Sequence, residues 1–232
     1  MKKNAVFRKA FQTSLPVMAG YIVLGMGFGM VLKAAGYGLI YALAMSVFIY
    51  AGSLQFVIVG LLTGGASFLT TAVTSLMVNA RHFFYGISMI DRYRGAGKVK
   101  PYLIFSLTDE TYSLLSTDPR LLPPEKEDRI RFYFWVSLLD QSYWVTGSVI
   151  GSVLGSVLPF NTAGIDFSLT ALFLTIVVDQ WHSGKHHIST VLGFAISLAC
   201  LLVFGPDRFL IPSMLLILAA VYGVRGKEDT DE

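Results

Sequence analysis

The sequence predicts an all-α, polytopic membrane protein with about eight transmembrane segments. Three observations carry that fold class. Charged residues make up 14% of the 232 residues, against about a quarter in soluble domains. Mean hydropathy is +0.61. The uncharged residues also cluster: 10–32, 34–80, 141–165 and 186–206 contain no Asp, Glu, Lys or Arg. Each run reaches the roughly 20 residues that a helix needs to cross a bilayer core. A soluble globule with such runs would have almost no polar surface.

The first segment is placed at 11–32, behind Lys2, Lys3, Arg8 and Lys9. Its apolar run is long for a signal peptide, and no small-x-small cleavage site follows, so a mature transmembrane helix is expected. Gly20, Gly25, Gly27 and Gly29 suit either close helix packing or local unwinding. No nucleotide loop is present, because the G-x-x-x-x-G-K-[ST] pattern is missing.

The second segment, 38–62, contains "YAGSLQF" at 50–56. Gly52 and Ser53 permit close backbone approach or mark an unwound stretch facing a ligand. Gln55 is costly beside lipid.

The third, 66–90, contains "VNARHFFYG" at 78–86. On one continuous helix Asn79 and His82 share one face, and Arg81 and Tyr85 another. Arg81 either snorkels to headgroups or faces a cavity, where it pairs with an acid or receives a substrate carboxylate. His82 is a proton relay or a neutral helix contact.

The fourth, 101–117, holds "LTDETYSLL". Adjacent Asp109 and Glu110 point in different directions, and the segment is expected to be broken or strongly tilted. The fifth, 132–157, holds Asp140 and Gln141, with Asp140 and Trp144 on one face. Asp109 and Asp140 are both candidate counter-charges for Arg81, and sequence does not rank them. Segments 167–181, 187–204 and 208–224 complete the eight; Asp179 lies near the end of the sixth. "WHSGKHH" at 181–187 reads as a wet basic loop, since it lacks a zinc-binding spacing. Single Cys200 excludes an intrachain disulfide. Proline-rich 118–128 is a water-facing loop, and the tail "RGKEDTDE" is too polar to pack.

Counting Lys and Arg in alternate loops favours cytoplasmic N- and C-termini, eleven inside against six outside. The loop "DRYRGAGKVK" at 91–100 conflicts with that count. One re-entrant segment among the first three would move this loop to the cytoplasm.

Residues 66–83 align with 166–183 at Leu69/Leu169, Thr70/Thr170, Val78/Val178 and His82/His182, with Asn79 opposite Asp179. This raises a three-helix inverted repeat, units 11–90 and 101–181, plus two further helices over 187–224. Such repeats recur in secondary transporters with a site at their interface. A chance match between apolar helices is the alternative. The chain is read as one membrane domain over 1–232.

"PVMAGYIVLGMGFG", "YAGSLQF", "VNARHFFYG" and "TDETYS" together resemble the AzlC family of branched-chain amino acid permeases. The resemblance runs from about residue 11 to 224. Ala80 stands where members usually have Leu, and Leu54 where many have Ala. The resemblance implies export of valine, leucine, isoleucine and their analogues across the bacterial inner membrane, with a small AzlD-type membrane subunit as partner. The residues themselves point to a gradient-driven carrier, with protons as the expected coupling ion, because no ATP-binding element or catalytic spacing is present. No cofactor, metal or nucleic acid partner is expected. A channel or pore subunit and a non-transporting accessory subunit are the competing classes. Candidate substrate or coupling residues are Gly52, Ser53, Gln55, Asn79, Arg81, His82, Tyr85, Asp109, Asp140 and Asp179. Phe56, Phe83 and Tyr85 are candidate contacts for a branched side chain.

Overall fold

A computed structural model describes residues 3–116, 122–157, 174, 178, 181, 187–205, 209, 212, 213, 215–217, 219 and 220. The described fold is helical. It divides into two compact units, 1–165 and 166–232.

Two long helices form the spine of the first unit: α1 (Lys3–Ala34) and α8 (Lys126–Val157). At 1.5 Å per residue each spans about 48 Å. Among the described residues, α1 is the one helix that is both long and apolar enough to cross a membrane by those criteria. The helices run in parallel, since residues near the start of α1 meet the start of α8 and later residues meet later ones. Phe7 packs edge-on to Trp135, Ser14 bonds Tyr143, and Gly155 approaches Lys33.

Small residues make this contact possible. A Cβ on Gly29 would lie 2.1 Å from the Ser148 carbonyl, and one on Gly151 would lie 2.0 Å from that of Met26. Gly25 and Gly147 meet the facing backbone in the same way, whereas Gly20 and Gly27 face open space. The glycines of the first segment therefore serve helix packing at alternate positions, and α1 stays continuous.

The expected second segment is not one helix. It is α2 (Leu39–Phe48) and α3 (Gly52–Thr63), separated at Tyr50, whose φ is +43°. Residues nine apart on a straight helix are about 13 Å apart along the axis. Yet Gln55 Nε2 donates to Ser46 Oγ at 3.3 Å, and Phe56 returns to Phe28 on the far half of α1. The chain reverses, so α2 and α3 form a hairpin.

The third segment divides at Asn79 into α4 (Phe68–Val78) and α5 (Ala80–Ser88). Ser67 caps α4 by accepting from the Thr70 amide.

The fourth segment is a second hairpin. After a 3₁₀ turn at Gly97–Val99 come α6 (Lys100–Phe105) and α7 (Asp109–Leu115). Tyr102 on α6 donates to Gln141, while Thr111 on α7 donates to Asp140. Two residues nine apart thus meet adjacent positions of α8, which again requires reversal. Thr108 starts α7 by accepting from the Thr111 amide.

The hairpins enter from opposite ends of the spine. The first follows the end of α1. The second follows residues 89–96, which pack with Val6 and Ala10 of α1 and Phe132, Tyr133 and Val136 of α8. Their tips meet where the Tyr50 and Phe105 rings lie 6.3 Å apart. Two of the expected crossings are therefore hairpins. The basic 91–100 loop lies at the same end of the spine as the start of α1.

In the second unit, α9 (Ile188–Phe204) matches the expected seventh helix and ends at Gly205, whose φ is +74°. The His187 ring stacks on Trp181, centroids 4.1 Å apart. Most of 167–181, most of the "WHSGKHH" loop and the tail fall outside the described residues. So do Asp179 and His182, which leaves the 66–83/166–183 match untested.

Candidate functional site

The two hairpin tips and the α4–α5 break bring polar residues from distant parts of the chain to one level of the first unit. A break exposes backbone groups that a continuous helix would satisfy, and such breaks persist in a membrane only where protein or a cavity receives them. The α3 start has no side-chain cap, so its first amide groups present the positive end of the helix dipole.

Arg81 enters here from the second residue of α5. Its Nη2 donates to Ser53 Oγ at 2.7 Å, and its Nη1 lies 2.8 Å from Asp109 Oδ2. Tyr85 donates its hydroxyl to Asp109 Oδ1 at 2.7 Å. Asp109 is thus the counter-charge for Arg81, and the snorkelling alternative does not hold. About one third of each charged side chain is exposed. The Tyr85 ring stacks on Tyr112, centroids 4.4 Å apart, and Tyr112 accepts from Ser88.

Not every bonding group is satisfied. Arg81 Nε and Asn79 Oδ1 are buried with no hydrogen-bond partner. A donor on a cation and a neutral acceptor therefore stand open two residues apart. Asn79 sits at the break, so a face shared with His82 along one helix does not apply. The His82 ring instead packs edge-on against Tyr85.

Gln55 is fully buried. Its Oε1 accepts from Trp144 Nε1 at 2.9 Å and its Nε2 reaches Ser46. One end of the amide holds the hairpin to α8 and the other ties α3 back to α2. Gly52 has a packing reason, since a Cβ there would lie 2.9 Å from the Trp144 ring. These two residues shape the site rather than offer it open groups. Phe56 is buried against Phe28, while Phe83 is 68% exposed beside Phe84. The expected apolar contact from Phe83 is not formed within the site.

A second polar layer lies deeper. Asp140 is fully buried, with Oδ2 accepting from Thr111 Oγ1 at 2.8 Å. Thr111 in turn accepts from Thr108, and the Tyr21 hydroxyl meets both Thr108 and Glu110 Oε2. Asp109 and Glu110 point apart as adjacent helical residues must, one to Arg81 and one to Tyr21. Asp140 and Trp144 share a face of α8 and contact the two different hairpins.

Sequence reasoning missed Tyr21, Tyr50, Thr108 and Thr111. Thr108 carries a readable signal, because Thr followed by Asp and Glu marks a helix start. Tyr21 and Tyr50 carry none, since an aromatic in an apolar run is ordinary.

Comparison with known proteins gives the family. The model described as "AzlC protein" matches residues 16–158. The chain is 44% identical over 221 residues to "Branched-chain amino acid transport protein AzlC" of Bacillus subtilis (strain 168), covering 95% of this chain and 86% of that protein. It is 41% identical over 216 residues to an "Uncharacterized membrane protein" of Helicobacter pylori (strain J99), covering 93% of each. It is 31% identical over 181 residues to "Inner membrane protein YgaZ" of Escherichia coli (strain K12), covering 75% of this chain and 73% of that protein. No solved structure matches.

Proposed function

The chain belongs to the AzlC family, and on that premise we propose that it is a secondary transporter exporting branched-chain amino acids across the bacterial inner membrane. The B. subtilis relative's name supplies the substrate class. One observation carries the mechanism: the Arg81–Asp109 ion pair with its open neighbours, Arg81 Nε and Asn79 Oδ1.

An amino acid is a zwitterion, carrying a carboxylate and an ammonium a few ångströms apart. The pair presents the complementary charges. A substrate carboxylate engages the Arg81 fork and gains from the uncapped start of α3. Its ammonium falls to Asp109 and Asn79. Binding therefore exchanges one internal ion pair for two pairs with substrate, which limits the cost of uncovering either charge. Apolar contacts distinguish aliphatic side chains weakly, because one methylene is worth about 1–3 kcal/mol. Broad aliphatic selectivity follows.

Arg8, Lys9, Arg92, Arg94, Lys98, Lys100, Lys126, Arg129 and Arg131 cluster at the end holding the start of α1, with Lys33 at the other end of that helix. By the positive-inside rule that end faces the cytoplasm. The opposed hairpins take the role expected of inverted repeats, each giving one side of the membrane access to a shared centre. Transport draws on a proton gradient, and a small AzlD-type subunit completes the carrier.

Reconstitution into vesicles with and without such a subunit, followed by counterflow of labelled leucine or valine, tests this reading. Saturable counterflow is expected. Flux linear in concentration would make the chain a channel, and no flux in either preparation would make it an accessory subunit.

A further inference from the structure

Asp140 differs from every other carboxylate of the first unit described above. It is fully buried on α8, and its Oδ1 has no hydrogen-bond partner. Among the described residues no Lys, Arg or His forms an ion pair with it; its one bonded neighbour is the Thr111 hydroxyl. An uncompensated carboxylate in such surroundings is expensive, and the group neutralises instead. Tyr50 at the first hairpin tip, Tyr102 on α6 and Glu110 on α7 lie within electrostatic reach. None is cationic, and Glu110 is acidic. The Tyr50 hydroxyl is itself buried and unpartnered.

Asp109 stands in the opposite situation, paired with Arg81 and hydrogen-bonded by Tyr85. One short helix links the two acids. Asp109 is the first residue of α7 and Thr111 the third. The same rigid turn therefore grips Arg81 at the substrate site and covers Asp140 behind it.

We propose that Asp140 is the proton-carrying group of the transport cycle, loaded while α7 covers it and discharged when substrate displaces α7. The proposal rests on the transporter reading above. When a substrate carboxylate takes Arg81 from Asp109, α7 loses its ion pair to α5 while the Tyr85 contacts remain, and Thr111 shifts away from Asp140. Water reaches the carboxyl, its O–H bond breaks, and the proton passes to that water on the cytoplasmic side. Asp140 remains as carboxylate until a proton from the outer side reforms the acid and α7 closes again. One amino acid moves out for one proton moved in. His82 packs on Tyr85 and is not part of this path.

The test uses the full chain in vesicles with its small subunit. An imposed gradient of one pH unit, coupled to one proton, sustains about a tenfold leucine ratio. The wild type is expected to reach it, while Asp140→Asn falls to no accumulation yet keeps leucine–leucine counterflow. Gradient-driven accumulation by Asp140→Asn overturns the proposal and leaves the transporter reading intact. Absence of counterflow in the wild type overturns that reading instead. Should Asp140→Asn fail to fold or to exchange, Asp140→Glu decides: a displaced pH profile of gradient-driven transport is expected, and an unchanged profile overturns the assignment.

Discussion

Arg81 on α5 and Asp109 at the start of α7 are 28 residues apart in sequence and 2.8 Å apart in space. They join the α4–α5 break to the tip of the second hairpin. That contact makes the substrate site dependent on both elements.

Removing either charge should weaken substrate binding in exchange. Loss of a charge-assisted hydrogen bond is worth about 1.5–3 kcal/mol, or roughly 10–100-fold in affinity. Arg81→Gln and Asp109→Asn are each expected to raise the half-saturating leucine concentration in counterflow by that range. Arg81→Lys should not restore it, because an ammonium cannot span Ser53 and Asp109 as the planar fork does. Wild-type affinity in Arg81→Lys would remove the bidentate role.

Orientation is testable by side-specific labelling in a Cys200→Ser background. Lys98→Cys should react from the same side as the chain's N-terminus, and Thr63→Cys from the opposite side. Both residues are exposed. If 38–62 crossed the membrane as one helix, the two accessibilities would be reversed.

The α1–α8 contact should tolerate no added methyl. Gly151→Ala places a Cβ 2.0 Å from the Met26 carbonyl, and overpacking of this kind costs about 1–3 kcal/mol. Gly27→Ala meets nothing within 4 Å and is the control. Thermal unfolding in detergent should show a lowered midpoint for the first and little change for the second. Equal midpoints would mean that the helices do not pack through these glycines.

Gln55 should act as a clasp for the first hairpin. Gln55→Ala strands the Trp144 indole N–H and the Ser46 hydroxyl, at about 1–3 kcal/mol for a buried unsatisfied group. Trp144→Phe should remove much of that penalty when combined with it. Additive losses in the double-mutant cycle would show that the two side chains are not coupled.

Much of this protein is legible in its sequence. Charge-free runs located α1, the later half of α8, and α9, and the rarity of charged groups in the apolar stretches around and between them singled out Arg81, Asp109 and Asp140. Both follow from the cost of polar groups in hydrocarbon, a local property that a sequence displays directly. Hydropathy could not distinguish a crossing from a hairpin, because α2 and α3 together are as apolar and as long as one spanning helix. The small residues of "YAGSLQF" marked the place of the break without its direction. Direction depended on side chains nine residues apart meeting again, Ser46 with Gln55 and Tyr102 beside Thr111 on α8. The choice between Asp109 and Asp140 as the partner of Arg81 was likewise tertiary. Both acids lie in apolar surroundings, and only the reversal at Thr108 gives one of them the guanidinium and leaves the other buried with a threonine.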